Sequence, residues 1–144
     1  MIAVDTNVLV YAHRRDSEWH AEAEAAVRGL AEGSAQWAIP WPCVHEFLAI
    51  VTHPRIYKPP TTMEAALGQV EAWLESPSLT LLNEGPGYAD RLGEALRASK
   101  ARGAKVHDAR IAALCIYHGV RELWSADRDF TRFPSLEVSN PLAG

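Results

Sequence analysis

The sequence of 144 residues has little of several things, and each shortage removes a class of function. It has two cysteines, Cys43 and Cys115, far apart and each inside an apolar, helix-like stretch. That spacing makes neither a disulfide framework nor a zinc site, so both read as buried thiols. It has no long hydrophobic run: the longest, Ile111 to Tyr117, falls far short of the ~20 residues a membrane-spanning helix needs. The start, Met1-Ile2-Ala3-Val4-Asp5, has no basic leader and sets a carboxylate in the first apolar stretch. It is unlike a secretory signal, so a cytoplasmic location without membrane contact is expected. Positive charge is scarce, with 14 Lys and Arg against 18 Asp and Glu, a formal net charge of −4. Binding of nucleic acid through bulk charge is therefore excluded, and any such contact must be local. Glycine motifs are missing as well. Gly85-Pro86-Gly87 is neither a dinucleotide fingerprint nor a P-loop, no G-x-S-x-G elbow occurs, and Ala49 breaks H-E-x-x-H after His45-Glu46.

What is present is enough apolar residue, 48%, to bury a core. Length and composition predict a single domain over residues 1–144. Ile2 to Asp5 reads as a strand, followed by capping residues Thr6 and Asn7 and a short helix from Val8 to Ala12. Asp16 and Ser17 are expected to cap a helix whose stripe is Trp19, Ala23, Ala26, Val27 and Leu30, stopped by Gly33. Gln36 to Ile39 reads as a second strand, and Pro42 fits the first turn of a helix from about Trp41 to His53. Thr61-x-x-Glu64 has the form of a capping box before a helix that buries Ala66, Val70, Trp73 and Leu74. A strand at Leu79 to Leu82, a helix from Tyr88 to about Ala101, and a helix from near Val106 to Gly119 follow. Strands at Glu122 to Ser125 and Leu136 to Val138 close the chain. Strand and helix alternate throughout, which predicts an α/β fold of three layers, α/β/α, around a mainly parallel sheet of four to five strands. Any site then lies outside the carboxyl ends of the strands.

The first and fourth strands end in Asp5 and Asp127, while Asp108 and Glu46 sit on helices feeding the same edge. Carboxylates crowded into one crevice raise one another's pKa unless a cation joins them. All-oxygen ligands favour Mg²⁺, with Mn²⁺ as a substitute, and point to phosphoryl chemistry.

Four stretches carry a resemblance. They are Val4 to Ala12, Glu46 within Pro42 to Leu48, Val106 to Ala113, and Leu123 to Phe130. In this order and spacing the chain resembles the PIN-domain nucleases, and within them the VapC-type toxin ribonucleases of toxin–antitoxin pairs. The resemblance covers nearly the whole chain. It implies a Mg²⁺-dependent endoribonuclease acting on single-stranded or looped RNA, leaving a 5′-phosphate and a 3′-hydroxyl. It implies that Asp5, Glu46, Asp108 and Asp127 do the chemistry, with Asp5, Asp108 and Asp127 as metal ligands. Asp129 is an alternative fourth acid, and Thr6, Asn7 and Ser125 are supporting polar groups. It further implies an antitoxin covering the acidic crevice and a homodimer.

Weaker signals surround these acids. Arg97, Lys100, Arg102, Lys105 and Arg110 form a local basic strip, a candidate contact for RNA phosphates, and Arg14 and Arg15 raise the same question. Trp19, Trp73 and Trp124 read as core, Trp41 as core or a stacking surface, and His107 as the histidine nearest the acids. Two rivals remain: an aspartyl-type phosphatase, in which Asn7 stands where a second Asp is wanted, and a non-catalytic module that binds RNA or protein.

Overall fold

β1 (Ile2–Val4) runs through the middle of a five-stranded sheet in the computed structural model, which describes residues 1–143. Ile2 and Ala3 register with Trp37 and Ala38 of β2 (Trp37–Pro40). On the other side Ile2, Ala3 and Val4 register with Glu122, Leu123 and Trp124 of β4 (Glu122–Trp124). β3 (Leu79–Leu82) and β5 (Glu137–Ser139) form the edges, giving the order β3-β2-β1-β4-β5 with every pair parallel. A central parallel strand is covered on both faces, which is why β1 and β2 are continuous apolar runs rather than alternating ones.

Parallel neighbours need crossovers; among the described residues six α-helices supply all but the last, from β4 to β5, which a short 3-10 helix makes. The six are α1 (Thr6–His13), α2 (His20–Glu32), α3 (Trp41–Val51), α4 (Met63–Leu74), α5 (Tyr88–Ser99) and α6 (Lys105–Tyr117). α1 packs on α2 and α3, α3 on α4, and α5 on α6. The chain is thus the three-layer α/β/α arrangement that its alternating pattern predicts. Trp37, Phe47, Phe130 and Leu9 are the largest side chains fully enclosed between the layers. Each burial of this kind contributes about 1.5–3 kcal/mol relative to exposure.

Local departures from the sequence reading have identifiable causes. α2 starts at His20, not at Asp16 or Ser17: Asp16 is taken by Arg14, with Nε and Nη2 donating at 2.9 and 2.6 Å, and Ser17 Oγ accepts from the Trp19 amide at 3.2 Å. The cap of α4 is Thr62, whose Oγ1 accepts from the Ala65 amide at 3.2 Å. Thr61 instead meets His13 Nε2 and Arg14 Nη1, at 3.1 and 3.2 Å. Leu74, expected in the core, is exposed at the end of its helix, and Trp19 is exposed as well. α5 stops at Ser99, where Lys100 adopts a left-handed conformation, while α6 ends at Tyr117, with the expected stop residue Gly119 just beyond its cap at φ +73°.

Among the described residues no helix is long and apolar enough to cross a membrane.

Candidate active site

Two adjacent strands of one parallel sheet end side by side, so the residue after β1 and the residue after β4 face a common edge. These are Asp5 and Ser125, both buried. Ser125 Oγ donates to Asp5 Oδ2 at 2.7 Å, and Cys43 Sγ, from the first turn of α3, donates to Asp5 Oδ1 at 3.6 Å. Burial pushes the Asp5 carboxyl above the ordinary carboxylate range. The Ser125, Thr6 backbone and Cys43 hydrogen bonds hold it back, and the charge of Asp108 adds to the rise. Asn7 ties the two strand ends together: its Nδ2 donates to Ser125 Oγ at 3.4 Å, and its Oδ1 accepts from the Ala126 amide at 3.2 Å. Thr6 Oγ1 is enclosed without a hydrogen-bond partner.

The chain after Ser125 turns back on itself. Ser125 Oγ accepts from the Asp127 amide at 2.9 Å, and Asp127 Oδ1 accepts from the Asp129 amide at 2.9 Å, capping a short 3-10 helix, Arg128–Arg132. This turn sets Asp127 and Asp129 against Asp108 in the first turn of α6, with one oxygen from each of the three acids within 4.8 Å of the others. Asp129 is paired with Lys105, whereas Asp108 and Asp127 have no ion-pair partner among the described residues. Burial raises the Asp108 carboxyl, as does the charge of Asp127, while Lys105, His107 and Arg132 oppose the rise.

Glu46 projects from α3, half-buried, into a cleft of about 400 Å³ that it shares with His45, His107, Asp108 and Arg110. Its carboxyl is raised by burial first and by Asp5 next, with His107 opposing. The acids named from the sequence are thus brought to one end of the sheet. Asp5 lies at its floor, Asp108, Asp127 and Asp129 together at its mouth, and Glu46 on the flank. An all-oxygen donor set with two unpaired carboxylates fits a hard divalent cation, which would offset the like charges that raise these groups.

The basic strip is not one surface. Lys105 is consumed by Asp129, and Arg110 at the cleft rim pairs with Glu84 at 3.3 Å. Arg97 lines a separate hollow with Asp90, Arg91 and Glu94, and Lys100 and Arg102 are exposed. Arg14 is held by Asp16 and lies over the Tyr57 ring at 4.3 Å, while Arg15 is exposed. Trp41 is stacked on His45, centroids 5.9 Å apart.

Sequence reasoning missed Cys43 and Arg132. Cys43 and Glu46 are three residues apart on one helix, a spacing that puts both on one face and was the available signal for the thiol. No pattern announces Arg132, whose charge acts on the Asp108 carboxyl only because the 3-10 turn folds back. Neither cysteine is a nucleophile at neutral pH: burial pushes Cys43 up, and Cys115 up to about 12.

Comparison with known proteins places the chain in a family. A family model described as PIN domain matches residues 2–136. Ribonuclease VapC48 of Mycobacterium tuberculosis is 31% identical over 140 residues, covering 97% of both chains. Ribonuclease VapC43 of the same organism is 33% identical over 144 residues, covering 100% of this chain and 97% of its own. Among solved structures, VapBC2 from Rickettsia felis bound to a DNA fragment from their promoter superposes with a TM-score of 0.70 at 20% identity, covering 97% of this chain and 98% of that one.

Proposed function

Because this chain belongs to the PIN-domain family, we propose that it is a Mg²⁺-dependent endoribonuclease of the VapC type, cutting single-stranded or looped RNA and held in check by an antitoxin. The observation that carries this reading is the convergence of Asp108, Asp127 and Asp129 beside the buried Asp5. The names of its relatives VapC48 and VapC43, both ribonucleases, support RNA as the substrate.

In this reading Asp5, Asp108 and Asp127 hold the ion, with Asp129 in reach. A divalent cation there supplies the positive charge that makes a water acidic and stabilises the leaving oxygen of a phosphodiester. Ser125 and Cys43 fix the Asp5 carboxylate by occupying one lone pair on each oxygen, so its free lone pairs keep one direction. Such outer partners typically change metal affinity or activity by about 10- to 100-fold when removed. Asn7 locks the Ala126 amide and so fixes where Asp127 begins its turn. Glu46, on the flank of the cleft, is placed to take the proton that the attacking water loses at its carboxylate oxygen.

The phosphatase rival requires Asp5 to attack phosphorus. Asp5 is 4% exposed and both of its oxygens accept hydrogen bonds, an arrangement that suits a fixed ligand rather than a nucleophile. The antitoxin would cover the acid cluster, with an Arg as the natural counter-charge for unpaired carboxylates. A second copy of this chain is the proposed homodimer partner, and Met63 and Leu67, exposed one turn apart on α4, are apolar surface available to it. A cytoplasmic location belongs to the same reading.

The test is cleavage of a structured RNA pool by the purified protein in Mg²⁺, in Mn²⁺ and in excess EDTA, with the chemistry of the new 5′ ends read out. Metal-dependent cuts bearing 5′-phosphate are expected. Cuts that survive EDTA and leave 5′-hydroxyl ends would overturn the carboxylate mechanism, and no cleavage in any condition would overturn the nuclease reading.

A further inference from the structure

Trp19 is the one exposed Phe, Tyr or Trp among the described residues, with 42% of its surface open. Its backbone is nonetheless fixed. Ser17 Oγ accepts from its amide at 3.2 Å, and the next residue, His20, holds the Tyr11 carbonyl through Nδ1 at 3.0 Å. The Trp19 ring leans on Tyr11, with centroids 5.2 Å apart and planes tilted by 47°. A large aromatic held rigidly and left uncovered is a preorganised apolar plate whose ordering cost is already met by the fold.

The plate forms one wall of a cleft of about 300 Å³, whose other walls include Ala126, Asn140 and Leu142. Two features connect this cleft to the acids. Ala126 stands between Ser125, which holds Asp5, and Asp127 of the acid trio. Tyr11 is one helical turn beyond Asn7 on α1, so both lie on the face that meets the end of β4. The cleft is lined without any charged side chain, in contrast to the Glu46–Asp108 cleft. It is therefore unsuited to a phosphate and suited to a flat, uncharged ring. Asn140 spends its side-chain oxygen on the Leu142 amide at 3.0 Å, which leaves its NH₂ as a donor for the edge of such a ring.

Resting on the ribonuclease reading above, we propose that this cleft is a base subsite: it takes one unpaired nucleobase next to the scissile phosphate, stacked on Trp19. Unpaired RNA bases are recognised in this way, by stacking on aromatic side chains and hydrogen bonds to their edges. Phosphate at the acids and base on the plate then belong to neighbouring positions of one strand. This explains why the aromatic pair adjoins the acidic floor.

The experiment uses a single-stranded RNA that the wild-type chain cuts, and compares wild type, Trp19→Ala and Trp19→Phe. Stacking on one aromatic is worth roughly 5- to 100-fold in affinity. Trp19→Ala is expected to raise KM by a factor in that range with kcat nearly unchanged, while Trp19→Phe restores most of the loss and both variants melt like wild type. An abasic replacement at one nucleotide flanking the cut should cost the wild type the same factor and cost Trp19→Ala nothing further. If Trp19→Ala cuts the same RNA with unchanged KM, the subsite is overturned and the nuclease reading stands. The same holds if every abasic substrate penalises wild type and variant equally. If the wild type cuts no RNA, the nuclease reading itself has failed, and the subsite with it.

Discussion

Asp5 and the trio Asp108, Asp127 and Asp129 carry the same functional group in two settings. Asp5 is enclosed, capped on both oxygens and fixed by the end of β1, so its orientation is settled before anything binds. The trio is half-exposed and assembled from a helix start and a 3-10 turn, with Lys105 as its one ion-pair partner among the described residues. The first setting spends burial energy to hold one carboxylate rigid; the second holds like charges together, where a cation would offset them. In the proposed metal site, preorganisation and affinity would thus be divided between two parts.

Substitutions that remove the charge on each side test this division most severely. Asp5→Asn and Asp108→Asn are each expected to lower RNA cleavage in Mg²⁺ on the order of 10³-fold or more, as losses within a unit that acts together do. Circular dichroism should show both variants folded. Their stabilities sharpen the contrast. In EDTA, Asp108→Asn relieves like-charge repulsion and should be slightly more stable than wild type, by about 0.5 kcal/mol or less for so exposed a group. Chemical denaturation reads this, and a clear loss of stability would show that the trio is not repulsive.

The partners of Asp5 come next. Ser125→Ala removes the 2.7 Å donor and should cost about 10- to 100-fold in metal affinity or activity. Cys43→Ala removes the longer contact and should cost less, with Cys43→Ser restoring a donor. Equal losses for Ser125→Ala and Cys43→Ala, followed by titration of Mn²⁺, would contradict the weighting drawn from the two distances.

The smallest effect is on pH. Asp5, Glu46 and Asp108 all have raised pKa values, so the folded chain binds their protons more tightly than the unfolded chain does. The metal-free fold should therefore gain stability as pH falls from neutral through those raised values, the gain levelling off near the unfolded carboxylate value of about 4. Asp16, lowered by its hydrogen bond and pairing with Arg14, works in the opposite direction as pH approaches its unfolded value and falls below it. Urea midpoints with and without Mg²⁺ check the trend, which the cation should flatten. A rise in metal-free stability toward neutral pH would refute it.

Much of this was legible in the residues. The alternation of strands and helices is written in apolar periodicity, and Asp5 is conspicuous as a carboxylate closing a buried strand. Gly119 announced the end of α6 because a left-handed turn there suits glycine. Where local signals competed, sequence reasoning slipped. Thr61 and Thr62 are chemically equivalent caps, and only the tertiary bonds of Thr61 to His13 and Arg14 leave the role to Thr62. Trp19 sits on the apolar period of its helix yet faces water, because the helix begins one residue after it and the stripe does not extend that far. The basic strip looked continuous because Arg97 to Arg110 are close in sequence. Two of its members are spent on Asp129 and Glu84, which arrive from elsewhere in the chain.

The sequence by itself determined the layered α/β plan and singled out the candidate acids, because hydrophobic period and residue chemistry are local properties. Tertiary structure alone decided which acids share space. Strand order 3-2-1-4-5 brings the ends of β1 and β4 together, and a turn of a few residues then swings Asp127 and Asp129 onto Asp108, distances that no spacing along the chain encodes.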